Sequence, residues 1–261
     1  MKTQLIRTLT YSLMLVIAVA LFNCKGKQGD PGTDGPALSG SINGVLSLTT
    51  STGTLPTDLS GVTVKTNKGD SAVTNTAGVW TLNETTGIYT LTFTKSGYGP
   101  TTVNGYSYVG GSAAYLNTVA LSQTPNFTVG FATPALDTIG ANSTATKDLH
   151  INVNLTIGGT VPEQDLEVFV YYSTNSGVSS TNYMGMSVIT VPAGQATYKG
   201  SITGANLLAA QIETGDIVYM IAYPSSAPTA LSSKYVNEST GKTVYTALGA
   251  ASVVENIKVP Q

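Results

Sequence analysis

One cysteine, one histidine, one tryptophan and one arginine are all that this 261-residue chain holds of four residue types that often carry chemistry. A lone thiol, Cys24, excludes a disulfide framework and a cysteine-based zinc site. A lone imidazole, His150, leaves a histidine-based zinc site without a second ligand. A Ser-His-Asp triad would need that histidine beside a nucleophile elbow, and no Gly-x-Ser-x-Gly occurs. Charged residues make up 10% of the chain, the formal net charge is -2, and the only arginine is Arg7. Scattered lysines of this kind form no basic patch, which excludes nucleic acid as a partner. No glycine-rich phosphate loop follows a strand and opens a helix, so nucleotide binding has no support either. No cofactor, catalytic residue or metal ligand is implied.

What is present begins at the N-terminus. Lys2 and Arg7 precede the apolar run Leu13–Phe22, which has the length of a signal h-region and is well short of the roughly 20 residues of a membrane span. The segment Leu21-Phe22-Asn23-Cys24 then resembles a lipobox, with Asn23 where a small residue is usual. The resemblance implies a bacterial lipoprotein signal peptide over residues 1–23 and lipidation of Cys24. Each buried methylene of the acyl chains contributes about 0.8 kcal/mol, enough for stable anchoring with two or three chains. Lys25 stands where an aspartate would hint at inner-membrane retention. The expected location is the outer membrane, on its periplasmic or cell-surface face.

Residues 24–37 follow as a spacer. They contain Gly26-Lys-Gln, Gly29-Asp-Pro, Gly32-Thr-Asp and Gly35-Pro-Ala, which look like collagen triplets but are too few for a triple helix. A hydrated, extended tether is the simpler reading. Abundant Thr, Ser, Gly and Val with little charge then favour short strands and polar turns, so the predicted class is all-β, with two tandem sandwiches.

From residue 38 onward, β-prone runs alternate with turns at Lys68-Gly69-Asp70, Ala77-Gly78, Thr86-Gly87 and Ser96-Gly97. Tyr89, Leu91 and Phe93 share one strand face, as do Val62 and Val64. Gly61-Val62-x-Val64, Thr76-x-Gly78-x-Trp80-x-Leu82 and Gly87-x-Tyr89-x-Leu91-x-Phe93-x-Lys95-Ser96-Gly97-Tyr98 together resemble the carboxypeptidase regulatory-like, transthyretin-like domain over residues 38–122. That resemblance implies a seven-stranded, non-catalytic sandwich that accompanies transporters, peptidases or surface proteins, with Trp80 in its core. Ser122-Gln-Thr-Pro125 reads as a linker.

A second set of strands spans 126–261, with clear alternation at Leu149, Ile151, Val153 and Leu155 and at Val168 and Val170. Ile212-Glu-Thr-Gly215-Asp-Ile-Val-Tyr219 resembles the approach to a penultimate strand of an Ig or fibronectin type III domain. The resemblance makes Tyr219 the candidate tyrosine of its corner, and Tyr223, on the same strand face, reads as a core residue.

Tyrosine is the residue type with functional promise. Tyr106 and Tyr108, two apart, fall on one face if extended and are the candidate ligand-binding pair, because a phenol ring stacks on sugars while its hydroxyl stays wet. Tyr171-Tyr172 places one ring inward and one outward. The acidic run Glu163-Gln-Asp165-Leu-Glu167 aligns three carboxylates that could bind calcium or act as a glycosidase pair, against the simpler reading of a solvated strand entrance. Asp70-Ser71-Ala72 and Asp137-Thr138-Ile139 resemble a bacterial O-glycosylation motif. The expectation is a non-enzymatic envelope lipoprotein held to the membrane by its lipid. It would act in adhesion, docking or envelope organisation through a protein partner, or else as a glycan-binding accessory of an uptake system.

Overall fold

Alternation of apolar and polar residues sets the strands of the first sandwich, because successive side chains point to opposite faces. Its segments are β1 (Ser39–Thr49), β2 (Thr63–Thr66), β3 (Ser71–Val73), β4 (Val79–Thr85), β5 (Gly87–Thr94), β6 (Thr101–Tyr108), β7 (Ala114–Tyr115) and β8 (Val119–Ser122). One sheet runs β4-β1-β7, with β8 continuing beside β1, and the facing sheet runs β3-β2-β5-β6. Both β7 and β8 pair parallel with β1, one along each half, so they form a single interrupted edge. The core between the sheets gathers Ile42, Leu46, Trp80, Leu82, Tyr89, Leu91 and Phe93. Trp80 meets Phe93 edge-on at 5.6 Å between ring centroids.

The computed structural model describes residues 35–139, 150–159, 161 and 163–260. The signal peptide over 1–23, Cys24 and most of the spacer over 24–37 lie outside the described residues. Residues Ala37–Gln261 form one compact unit, and its described residues are all-β apart from one short helix.

The second sandwich contains β9 (Thr128–Ile139), β10 (His150–Gly158), β11 (Leu166–Ser173), β12 (Gly185–Val191), β13 (Thr197–Thr203) and β14 (Ile217–Ser225). A hairpin of β15 (Lys234–Val236) and β16 (Thr243–Tyr245) precedes the last strand, β17 (Glu255–Lys258). A three-stranded sheet, β13-β10-β9, faces a four-stranded one, β12-β11-β14-β17, in an Ig-like sandwich. Ile151, Val153 and Leu155 pack against Val168, Val170, Tyr172, Val218 and Met220 between them. The helix Gly204–Ala209, capped by Thr203 and packed through Leu207, is too short to show a helical period in the sequence.

The four-stranded sheet is covered on both faces. Tyr172 faces the sandwich core, and Tyr171, directed to the opposite face, is fully buried there with Phe169, Val178, Ile221 and Tyr245. Six consecutive residues of β11, Val168–Ser173, are buried. Such a run reads as a strand covered on both faces. The cover comes in part from residues 226–254, the long connection between β14 and β17, which supplies Tyr245 and Leu248.

The same connection joins the two sandwiches. Ser122 N donates to Ser233 Oγ at 2.7 Å, and Ser233 N donates to Ser122 Oγ at 3.0 Å, with both residues fully buried. Lys234 N donates to Thr101 Oγ1 at 3.2 Å, and Thr246 Oγ1 to the Pro100 carbonyl at 2.6 Å. Gly99 permits this approach, since a Cβ there would lie 2.6 Å from Ala247 N. The segment at 122–125 is therefore a built junction and not a free linker: Gln123 N bonds Thr49 O, and its Oε1 accepts from Ser51 N.

Replacing Ser233 with valine leaves the buried Ser122 amide without its acceptor, which costs about 1–3 kcal/mol. The expected outcome in scanning calorimetry is a Tm lower by about 2–4 °C per kcal/mol lost, for a chain of this size.

Candidate functional site

Tyr106 and Tyr108 do not form an exposed pair. Both lie within β6, where a bulge puts Asn104 and Gly105 opposite the single residue Thr90 of β5. Gly105 adopts φ 65°, the left-handed conformation suited to such a bulge. The extra residue restores the inward phase, so Val103, Tyr106 and Tyr108 all pack on the first core. Tyr108 is 2% exposed and its hydroxyl donates to Ser112 O at 2.7 Å, so its ring offers no face to a ligand. Tyr106 is half-buried, and burial pushes its phenol above the ordinary value.

The remaining candidates are likewise committed to structure. Trp80 is a core residue, as its motif implied. Tyr219 and Tyr223 share a face, but that is the outer face of β14, where both pack on the Phe169 and Tyr171 cluster instead of the inter-sheet core. No hydrogen bond of Tyr219 closes a corner among the described residues. His150 is half-buried at the start of β10, opposite Thr203. The acidic run does not converge: Asp165 Oδ1 accepts from Ala193 N at 3.0 Å, while Glu167 Oε2 accepts from Thr229 N and Oγ1 at 2.8 and 2.5 Å. Glu167 thus anchors the start of the long connection. Among the described residues no three His, Cys, Asp or Glu side chains gather to hold a metal. Ser71 is exposed at the start of edge strand β3, and Thr138 pairs with Ile151 in β9, its side chain lying outside those described.

A concave site is built instead where β6 and β8 of the first sandwich meet the β15–β16 hairpin. The hairpin cannot be seen as a partner of β6 from local sequence, because their contact is set by the Ser122–Ser233 and Lys234–Thr101 hydrogen bonds across the chain. The resulting groove has a volume of about 280 Å³. Its apolar wall includes Val103 and Val119, and its polar groups include Thr102, Thr118, Tyr235 and Thr243. The hydroxyls of those four residues make no hydrogen bond among the described residues. Lys234 also lines the groove, but its ammonium is held by the Thr229 carbonyl at 2.9 Å. An apolar wall with a few hydroxyl groups is the usual make-up of a small-molecule site, and junctions between domains are a usual place for one. Among the described residues that line the groove there is no carboxylate or imidazole, and its one ionisable cation is Lys234.

No family model matches the chain, and no curated relative matches it. Among solved structures, a DUF3823 family protein from Parabacteroides merdae is 14% identical over 85% of this chain and 100% of its own, with a TM-score of 0.30. A protein from Bacteroides uniformis described as a candidate carbohydrate-binding protein is 14% identical over 84% and 99%, with a TM-score of 0.31. A calcium-stabilised adhesin with which an Antarctic bacterium binds ice is 14% identical over 84% of this chain and 48% of its own, with a TM-score of 0.24. Likeness at this level carries no argument about what the chain does.

The tyrosine cluster beside the groove has a testable consequence. Burial pushes the phenols of Tyr171, Tyr183 and Tyr245 in this cluster above the ordinary 10.0, as it does that of Tyr172 in the inter-sheet core, and for Tyr171 the neighbouring tyrosines add to it. The folded chain then retains protons that the unfolded chain loses above about pH 10. Stability is therefore unaffected below that pH and falls as pH rises beyond it. The Tyr171 hydroxyl has no hydrogen-bond partner, so Tyr171→Phe is expected to raise stability by about 1 kcal/mol and to reduce the alkaline loss. Urea midpoints of both proteins between pH 8 and 12 measure both effects.

Proposed function

We propose that this chain is a lipid-anchored, non-enzymatic envelope protein that captures a glycan in the groove between its sandwiches. The observation that carries the reading is the groove: four unengaged hydroxyls beside an apolar wall, held by hydrogen bonds that join the sandwiches. A sugar ring presents the matching surface, with hydroxyls at its edge and C–H groups on its face. The volume, just under the usual range of about 300–1,000 Å³ for small-molecule pockets, suits one sugar unit and not a protein segment.

The lipobox-like Leu21-Phe22-Asn23-Cys24, with the basic start and apolar run before it, supports lipidation of Cys24 and an outer-membrane location. The carboxypeptidase regulatory-like reading of residues 38–122 is supported by the interior placement of Val62, Val64, Trp80, Leu82, Tyr89, Leu91 and Phe93. A second reading, docking to a protein partner, is favoured by the outer face of β1, β4 and β7. Val45 and Val79 are exposed opposite each other there, and Tyr115, opposite Asn43, is 78% exposed.

Two measurements test these proposals. The Ala37–Gln261 unit applied to a glycan array is expected to bind, and Tyr235→Ala with Thr118→Val to abolish that binding. Silence across the array transfers support to docking. In intact cells, Cys24→Ala is expected to abolish incorporation of a fatty-acid analogue and to move the protein out of the membrane fraction. Retention of both would overturn the anchor.

A further inference from the structure

The first sandwich contains a second concave site that shares no residue with the groove. It lies where the two sheets part at one end, between the β2–β3 turn, which carries Lys68 and Asp70, and the paired ends of β1 and β4, which carry Ser39, Asn83 and Glu84. The cavity has a volume of about 500 Å³. Alternation along β4 makes Glu84 the third inward residue after Trp80 and Leu82. An apolar residue would complete the core at that position, yet a carboxylate occupies it. Glu84 is 6% exposed, and its buried Oε1 has no hydrogen-bond partner.

A buried acceptor without a partner is costly and uncommon in folded proteins, and each one calls for an explanation, a bound ion or ligand among them. The neighbouring cation does not complete this one. Lys68 Nζ donates to the Tyr89 hydroxyl at 2.9 Å and lies 4.2 Å from the centre of its ring, while that hydroxyl donates to Thr85 O at 2.7 Å. Lys68 thus stands fixed in the wall, and no ion pair joins it to Glu84 among the described residues. Asp70 and Glu84 against Lys68 leave the lining one negative charge in excess.

We propose that the Glu84 cavity binds a small ligand through a primary ammonium group. An ammonium supplies both what the orphan oxygen lacks, a donor, and the charge that the lining lacks. A neutral hydroxyl supplies only the first. A divalent cation would need several further oxygen ligands beside the Lys68 ammonium, and no set of three acidic or imidazole side chains converges there. The cavity's size admits a molecule such as an amino sugar or an amino acid.

The test is calorimetric titration of the full chain in detergent with glucosamine, with glucose as the neutral match and with calcium chloride, repeated on Glu84→Gln. Glucosamine is expected to bind, with any Glu84-dependent binding of glucose or calcium at least tenfold weaker. Loss of a charge-assisted hydrogen bond in Glu84→Gln is expected to weaken glucosamine about ten- to a hundredfold. The variant keeps the shape of the side chain and removes an unpaired buried charge, so its Tm is expected to stay level or rise by about 2–4 °C. The proposal is overturned by absence of glucosamine binding, by glucose binding of equal strength that depends on Glu84, by glucosamine binding indifferent to Glu84→Gln, or by calcium binding that depends on Glu84. A lower Tm in Glu84→Gln would also overturn it, because it would make Glu84 a structural residue.

Discussion

The reciprocal hydrogen bonds between Ser122 and Ser233 are the constraint on which the rest of the architecture depends. Each backbone amide donates to the other residue's hydroxyl, at a point where both are inaccessible to water. An amide that loses such a partner keeps its full desolvation cost, so the junction holds as a pair or opens as a pair. Through it the long connection between β14 and β17 is held against the first sandwich. That placement creates the groove, and the same connection brings Tyr245 and Leu248 over the outer face of the four-stranded sheet. Glu167 secures its start through Thr229. A carboxylate that could have belonged to a glycosidase pair or a calcium site therefore works as a clamp on a loop.

Among the described residues four buried side-chain polar atoms lack partners, and their settings differ. Trp80 packs edge-on against Phe93, Tyr171 packs against Tyr183 and Tyr223, and Ser47 lies on β1. The first two have side chains whose apolar bulk outweighs a single unsatisfied group, since an aromatic residue buries a large area. Glu84 has no such compensation, because a carboxylate brings little apolar surface and a full charge. Its position beside an open cavity, and not within a closed core, separates it from the others.

Much of the fold was legible in the sequence. The alternation at Tyr89, Leu91 and Phe93 and at Ile151, Val153 and Leu155 located core faces correctly, because a period of two is a local property. The two-sandwich, all-β class followed from the same runs and their turns. The candidate site was much less legible. Tyr106 and Tyr108 do share a face, but which face depends on the bulge at Asn104-Gly105, and the glycine at 105 was its only local signal. Tyr171 and Tyr172 do point to opposite faces, but the outer ring, Tyr171, meets a cover that comes in part from residues 226–254. The continuous apolar character of Val168–Tyr172 was the available sign that both faces are buried.

By itself the sequence determined the properties that depend on near neighbours and on composition. These are the strand phases, the turns, the exclusion of cysteine and histidine zinc sites, and the lack of a basic surface. Only the tertiary structure decided which hydroxyls stand free around a groove, which carboxylate is tied to a loop and which is left alone in a cavity. The physical reason is separation along the chain. Ser122 meets Ser233 and Thr101 meets Lys234 across more than a hundred residues, and no local pattern encodes a contact whose two halves lie in different sandwiches.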